Sequence, residues 1–273
     1  MSLRRNDAPP PDLRIVMTDS LRPHEEHDAQ RAMPLIERLQ HESIVINPPI
    51  VAPMGNSQFV ILDGANRFYA FSHLKYPHIL VQVAAYDSGY VDLKTWRHIV
   101  CNWDIDSFVQ HLRQLTDIQL IEGQDRAAIA HVLFKDQRVL AVRAPVENTH
   151  ERNAVLREVV NIYQRNATLH RTALTEPDDI WPLHPDAIAV LVFPDYQPAD
   201  IMAAARHRAY LPPGISRHII YGRALRVNYS LDLLRDVGSR LRDKNEALQT
   251  WVQHKLAKRQ VRYYAEATYQ FDE

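Results

Sequence analysis

This sequence predicts a mixed α/β chain of two lobes, and three observations carry the expectation. Within about the first 90 residues, short apolar runs and helix-patterned stretches follow the order strand, helix, strand, strand, helix, strand. The second half is also mixed, and no internal repeat or extended low-complexity segment breaks the pattern. A length of 273 residues, 46% hydrophobic and 24% charged, suits a globular protein of one large domain or two ordinary ones.

Taken in order, residues 1–12 are polar and proline-rich, the composition of a mobile tail. Leu13 to Met17 reads as a first strand. Asp28 can cap a helix from Ala29 to Glu42, whose Leu35, Ile36 and Leu39 form an apolar stripe. Asn47-Pro48-Pro49 forces an extended approach to a strand at Ile50 to Ala52. Pro53 to Gln58 is a turn, and Phe59 to Leu62 is a short buried strand. Asp63-Gly64 breaks that strand, and Arg67 to Leu74 reads as a helix with Ala70, Phe71 and Leu74 inward. Ile79 to Ala85 is the next strand.

Alternation over Val91 to Val100 predicts one strand with Trp96 and His98 side by side on one face. Asp104 to Leu115 is patterned as an amphipathic helix. Ala127 to Leu133 continues into a strand at Arg138 to Val142. A helix is expected at Asn148 to Asn161, with Val155, Leu156, Val159 and Val160 inward. Pro177 to Pro185 breaks the pattern before a buried strand at Ala187 to Phe193 and a short helix at Asp200 to Arg206. A helix from Leu233 to Lys258 and a strand at Val261 to Tyr264 close the chain.

Composition narrows the function classes. A formal net charge of −1 supplies no bulk basic field to recruit nucleic acid. The single cysteine, Cys101, excludes an internal disulfide and leaves no cysteine cluster for zinc, which suits a reducing, cytoplasmic setting. The N-terminus lacks the apolar core of a signal peptide, and no apolar run reaches the roughly 20 residues that span a membrane.

Four stretches carry candidate chemistry. A strand, an Asp63-Gly64 turn and a helix present free N–H groups and a helix dipole to an anion. Arg67 adds a planar fork of donors suited to phosphate, and Asp63 can hold a divalent cation or accept a proton. Such turns are also common with the acid as a simple N-cap and the arginine solvated. His24, Glu25 and Glu26 follow Pro23, as base or metal ligand or as a solvated cluster before a helix. Trp96 and His98 suit a small-ligand wall or an ordinary core. After Pro212-Pro213-Gly214, the donors Ser216, Arg217 and His218 suit a carboxylate or phosphate, or simply begin a strand.

Leu62-Asp63-Gly64-Ala65-Asn66-Arg67, set between the strand of Pro49 to Ala52 and a helix ending at Leu74, resembles the ParB N-terminal, sulfiredoxin-like fold over about residues 13–87. With Pro23-His24-Glu25, Thr95-Trp96 and His98, and Gly214-Ile215-Ser216-Arg217-His218, the chain more closely resembles the free L-serine kinases built on that fold. These include the serine kinase of staphyloferrin B biosynthesis and the archaeal ADP-dependent serine kinases.

That resemblance implies a nucleotide-binding domain at 13–100 and a second mixed α/β lobe at 101–273 that completes the substrate site. It implies a cytoplasmic kinase that moves a phosphoryl group from ATP or ADP, with Mg2+, to the hydroxyl of free L-serine. Glu25 would be the catalytic glutamate, with Glu26 one position away as the alternative. Asp63 would assist catalysis or hold magnesium, and Gly64, Ala65, Asn66 and Arg67 would grip phosphates. Trp96, His98, Ser216, Arg217 and His218 would form the serine pocket. Asn66 stands where the family has histidine, and asparagine cannot carry a proton or a charge. Ser216 replaces a threonine and keeps the hydroxyl. The competing expectation is a ParB-like DNA-binding regulator. It is disfavoured by the neutral charge and by the missing helix-turn-helix signature, and kept open by the basic stretch Lys255 to Arg262. Nuclease activity is a weaker third reading.

Overall fold

The structure, a computed structural model, describes residues 8–264. In chain order they form β1 (Asp12–Met17), β2 (Leu21–Pro23), α1 (Ala29–His41), β3 (Ile44–Val45), β4 (Ile50–Gly55), β5 (Gln58–Asp63), α2 (Ala65–His73) and β6 (His78–Val83). Then come β7 (Val91–Thr95), β8 (Arg97–Cys101), α3 (Ile105–Arg113), β9 (Gln119–Glu122), β10 (Ala130–Phe134), β11 (Val139–Arg143), α4 (Thr149–Asn166) and β12 (Thr168–Thr172). The last elements are α5 (Pro177–Ile180), β13 (Ala187–Val192), α6 (Pro198–His207), β14 (Ser216–Ile220), β15 (Tyr229–Ser230), α7 (Leu231–Arg235) and α8 (Leu241–Ala257).

These residues divide into two compact units. The first holds the described residues up to Pro23, His27–Asp92, and the described residues from His218 onward; the second holds His24–Glu26 and Leu93–Arg217. The expected division at 100/101 is therefore corrected: the chain crosses within β7, and the C-terminal stretch returns to the first unit.

The first unit is a five-stranded mixed sheet in the order β1-β6-β4-β5-β2. Leu13, Ile15, Val51, Ile61, Phe71, Ile79, Val81, Leu234 and Leu248 belong to its core. The return of the C-terminal helices has a specific cause. β1 is an edge strand, and an open edge exposes unpaired backbone groups. The Asn245 side chain accepts from the Ile15 N–H (2.9 Å) and donates to the Ile15 carbonyl (2.8 Å), while Gln249 donates to the Leu13 carbonyl (3.1 Å). These amides of α8 satisfy backbone groups of β1 as a neighbouring strand would.

The expected helix at Leu233 to Lys258 is two helices. Buried Lys244 donates its ammonium to the carbonyls of Leu233 (2.7 Å) and Asp236, at the end of α7. The Asp236 carboxylate takes the N–H groups of Gly238 (2.8 Å) and Ser239 (3.1 Å) and fixes the turn into α8. Val261 to Tyr264 is irregular exposed backbone, not a strand. Residues 1–7 of the expected tail lie outside the described residues, and its last residue, Asp12, opens β1.

The second unit is an antiparallel sheet in the order β12-β8-β13-β10-β11-β9. Val100, Phe108, Leu156, Val159 and Tyr163 are all fully or nearly fully buried in it. The stretch 127–142 is a hairpin rather than one strand, turning at Asp136 and at Gln137, which takes a left-handed backbone. The expected strand Val91 to Val100 breaks at Trp96, whose N–H leaves the ladder for the Ile215 carbonyl (2.9 Å). Among the described residues no helix is long and apolar enough to cross a membrane.

Candidate functional site

In the first unit the chemistry gathers where β5 meets α2. Gly64 takes φ +97°, and a Cβ there would crowd Pro49 at 3.1 Å, so glycine fits this turn on both counts. The first turn of α2 follows at once, with N–H groups that have no intrahelical acceptor. Asp63 is not the N-cap, since Gly64 occupies that place.

The Asp63 carboxylate is instead held by two guanidiniums. Arg67 donates to Oδ2 at 3.1 Å, and Arg223 forms a short charge-assisted bond to the same oxygen. Arg67 also donates to the carbonyls of Asn47 (2.8 Å) and Pro48 (3.4 Å). So Arg67 is not simply solvated: its guanidinium already meets a carboxylate and two carbonyls. It braces the approach to β4 against the end of β5. Burial raises the Asp63 pKa, but Arg67, Arg223 and the His218 ring outweigh it and hold the carboxyl below its usual range.

Asn66 also has a structural task, with its Oδ1 accepting the Asp28 N–H at 2.8 Å. Asp28 in turn caps α1 through the Gln30 N–H (3.1 Å). His218 belongs to this group rather than to a serine pocket with Ser216, because its Nε2 meets the Tyr86 hydroxyl at 2.7 Å. β14 crosses between units after Arg217, so Ser216 and His218 fall in different units although, two positions apart, they share a strand face.

The sequence reading missed Arg223. Gln82 holds its loop by donating to the Gly222 carbonyl (3.0 Å) and accepting from the Ala224 N–H (2.8 Å). The signal present was Gly222, one of seven glycines, with φ +74°.

In the second unit the chemistry gathers around Glu25. Its Oε2 accepts the Gly214 N–H (3.0 Å), and its Oε1 accepts the Ser216 N–H (2.8 Å) and the Ser216 hydroxyl (2.5 Å). The His24 Nε2 lies 2.7 Å from the Ser216 oxygen and 3.6 Å from Glu25. The Ser216 hydroxyl donates its hydrogen bond to Glu25, so its oxygen can accept one from His24. Burial works to raise the Glu25 pKa. The His24 imidazole, the Ser216 hydroxyl and the Gly214 N–H together bring it down to about 2.

Backbone pairing gives the neighbouring glutamates different partners. His24 and Glu26 bond through their backbones to Leu211, at 2.8 and 3.0 Å. That pairing turns Glu25 toward Gly214 and Ser216, while Glu26 pairs with Arg157 at 3.2 Å. On α4, Arg157 also donates to the Tyr210 carbonyl (2.5 Å), and buried Asn153 donates to that of Ala209 (2.6 Å).

His98 is a core residue rather than a ligand wall. It is fully buried, its Nε2 donates to the Gly214 carbonyl (2.9 Å), and its Nδ1 accepts from Tyr163 (2.7 Å). One neutral tautomer satisfies both bonds. Burial, more than any other cause, lowers its pKa to about 4. Arg171 adds a bond to the Pro213 carbonyl (3.0 Å), and a Cβ on Gly214 would collide with its guanidinium. His98 and Arg171 thus hold the turn that holds Glu25. Trp96 stays half-buried with the Arg217 guanidinium 4.7 Å from its ring centroid. Arg171 and Tyr163 were not legible as site residues: Arg171 lies on β12, a stretch with no strand pattern in the sequence, and Tyr163 lies beyond the expected helix end at Asn161.

Glu25, His24, Ser216, Trp96 and Arg217 therefore share one unit, with His98 behind them, and Asp63 to Arg67, Arg223 and His218 share the other. Asp63 belongs to no group of three metal-ligating side chains among the described residues. Two guanidiniums against one carboxylate leave an excess of positive charge beside the α2 N-terminus. That donor set fits phosphate better than a resident divalent cation.

No family model matches the chain. It is 34% identical over 83 residues to an ATP-dependent L-serine kinase of Staphylothermus marinus, a stretch covering 30% of this chain and 33% of that protein. It is equally similar to an ATP-dependent L-serine kinase of Desulfurococcus mucosus, over 30% and 32% of the two chains. The chain thus spans about a third of the length of the curated relatives it matches. Among solved structures, SbnI of Staphylococcus aureus with a C-terminal truncation aligns with a TM-score of 0.71 at 19% identity, over 90% of this chain and 96% of that one. A free serine kinase in complex with AMP aligns with a TM-score of 0.70 at 17% identity, over 83% and 95%. The expected α/β fold, and the resemblance to free L-serine kinases, are both borne out: this chain shares the fold of SbnI and of the free serine kinase.

Proposed function

We propose that this protein is a kinase that transfers the terminal phosphoryl group of ATP to the hydroxyl of free L-serine, giving O-phospho-L-serine. The observation that carries the reading is the Glu25 carboxylate, kept anionic among donors from one turn and already bonded at 2.5 Å to a serine hydroxyl. An oxygen that accepts the Ser216 hydroxyl is chemically able to accept the same group of a free serine. The two curated relatives, both named ATP-dependent L-serine kinases, supply the identity of donor and acceptor.

A carboxylate with a pKa of about 2 is a weak base, and phosphoryl transfer does not ask for a strong one. Its loose transition state needs an oriented nucleophile and charge neutralisation. Glu25 orients the serine hydroxyl and takes its proton late, as the bond from the serine oxygen to phosphorus forms and the bond to the nucleotide's bridging oxygen breaks. Arg67, Arg223 and the N–H groups of Gly64, Ala65 and Asn66 stabilise the phosphates, and Asp63 keeps the two guanidiniums in place. Magnesium bound with the nucleotide would supply further charge neutralisation at the phosphates. Trp96 and Arg217 bind the amino acid, the guanidinium facing its carboxylate.

Purified protein is incubated with free L-serine, magnesium and either ATP or ADP, and O-phosphoserine is sought by mass spectrometry. Product with ATP is the expected result, and product with ADP alone would reassign the donor. Absence of product and of nucleotide binding, with salt-sensitive binding to duplex DNA, would overturn the kinase reading in favour of a regulator.

A further inference from the structure

Away from both groups just described, three side chains of the second unit converge without a task in the proposed chemistry. Cys101 ends β8, His170 lies on β12, and His184 follows α5. Their ligand atoms, one sulfur and two ring nitrogens, all lie within 4.8 Å of one another. The two imidazole rings stand 5.2 Å apart, tilted by 37°. Neither ring makes a hydrogen bond or an ion pair to any described residue, so each keeps a nitrogen lone pair for a ligand. The Cys101 thiol is fully buried beside the Asp186 carboxylate.

The backbone makes this meeting point rigid. β8 pairs with β12, where Thr168 faces Cys101 and His170 faces Ile99, and with β13, where Ala187 faces Cys101. The His184 carbonyl accepts the Ala187 N–H at 3.1 Å, which fixes the loop that carries its ring. Three separate segments thus deliver one donor each to one side of the sheet edge.

We propose that Cys101, His170 and His184 form a binding site for a zinc-class divalent cation. One thiolate and two imidazoles are the soft and borderline donors such ions select, and they suit a tetrahedral ion with one further position open. Asp186 stands beside the sulfur, either filling that position or acting as the outer carboxylate that such sites commonly carry. Hard cations such as magnesium and calcium take oxygen donors and are selected against. On binding, the thiol becomes a thiolate and its proton leaves to solvent.

The consequence is mechanical. β12 is the edge strand of its sheet, and the ion ties it to β8 and to the loop before β13. The residue after His170 is Arg171, which braces the Pro213 carbonyl in the turn that holds Glu25. Metal occupancy therefore stiffens the strand that supports the Glu25 turn.

Cobalt(II) and zinc(II) are titrated separately into the full chain, kept reduced, and the readouts are optical absorption and the bound metal per chain after dialysis. We expect one ion per chain. Cobalt should show a thiolate-to-metal charge-transfer band together with the ligand-field bands of a tetrahedral ion, and zinc should raise the melting temperature. Cys101→Ser should abolish the charge-transfer band. His170→Ala, a change at an exposed position that leaves the buried sheet intact, should weaken zinc binding at least about tenfold and remove the thermal shift. His150→Ala, on the exposed face of α4, should bind as the unaltered chain does. No retained ion, cobalt bound without the charge-transfer band, or equal zinc affinity in His170→Ala and the unaltered chain would each overturn the proposal. None of these outcomes depends on kinase activity.

Discussion

Asp63 and Glu25 are both carboxylates held charged against the pull of burial, and they are held by opposite means. Asp63 is gripped by the tips of two long side chains, Arg67 and Arg223, and its own side chain is 38% exposed. Glu25 is gripped by two backbone N–H groups and a hydroxyl one carbon removed from the backbone, and its side chain is 14% exposed. Guanidiniums can swing away and re-pair at low cost, whereas backbone donors move only when the chain moves. The first arrangement suits a ligand that brings its own negative charge and competes for the arginines. The second suits a group that must meet a small neutral hydroxyl in one geometry.

The sharpest way to break this contrast is Glu25→Gln. The amide puts an NH2 where a carboxylate oxygen accepted an N–H, so one donor of the turn loses its acceptor. With the charge also lost, we expect turnover to fall by about 10²–10⁴-fold, the usual range for a missing acid–base group. Steady-state rates of O-phosphoserine formation measure it, and a rate near that of the unaltered chain would remove Glu25 from the mechanism.

Arg223→Ala tests the other side. The remaining Arg67 still pairs with Asp63, so the fold should persist while the phosphates lose one charge-assisted contact. One such bond contributes roughly 1.5–3 kcal/mol, so KM for ATP should rise by about tenfold or more with a smaller change in kcat. A large fall in kcat at unchanged KM would instead make Arg223 a transition-state residue.

The rigid side should also be the first to lose stability as the pH falls. The folded-state pKa of His98 is depressed to about 4, below the ordinary value of 6.5. The unfolded chain therefore takes up this proton first. The resulting stability is complete above pH 6.5 and is lost as pH falls toward 4. Glu25, depressed from 4.5 to about 2, adds a second loss of the same sign as pH falls from about 4.5 to about 2. His98→Gln keeps a donor for Gly214 and cannot titrate. In urea denaturation followed by the fluorescence of Trp96, Trp103, Trp181 and Trp251, it should remove a slope of up to about 1.4 kcal/mol per pH unit between pH 6.5 and 4. An unchanged slope would count against the buried neutral imidazole.

The smallest effect concerns Asn66. Its bond to the Asp28 N–H is neutral and partly buried, so Asn66→Ala should cost about 0.5–1.5 kcal/mol of stability in the same denaturation experiment. A loss of activity without that loss of stability would give Asn66 a direct role toward phosphate.

By itself the sequence determined the strand–turn–helix around Asp63-Gly64, the cap on α1, the apolar strands of the first unit and the candidate residues Glu25, Asp63, Ser216 and Arg217. Each rests on short-range chemistry: apolar periodicity, Asp-Gly and Pro-Pro-Gly turns, and a carboxylate or guanidinium set beside them. Only the tertiary structure decided that Arg67 braces carbonyls, that Arg223 meets Asp63, that His98 lies in the core and that α8 returns to cover β1. It also decided that Cys101 meets His170 and His184. All of these are contacts between residues far apart in the chain, except for the turn of Arg67 back onto Asn47 and Pro48. Local pattern fixes which way a side chain points from its own element, and long-range packing alone fixes what stands there to receive it.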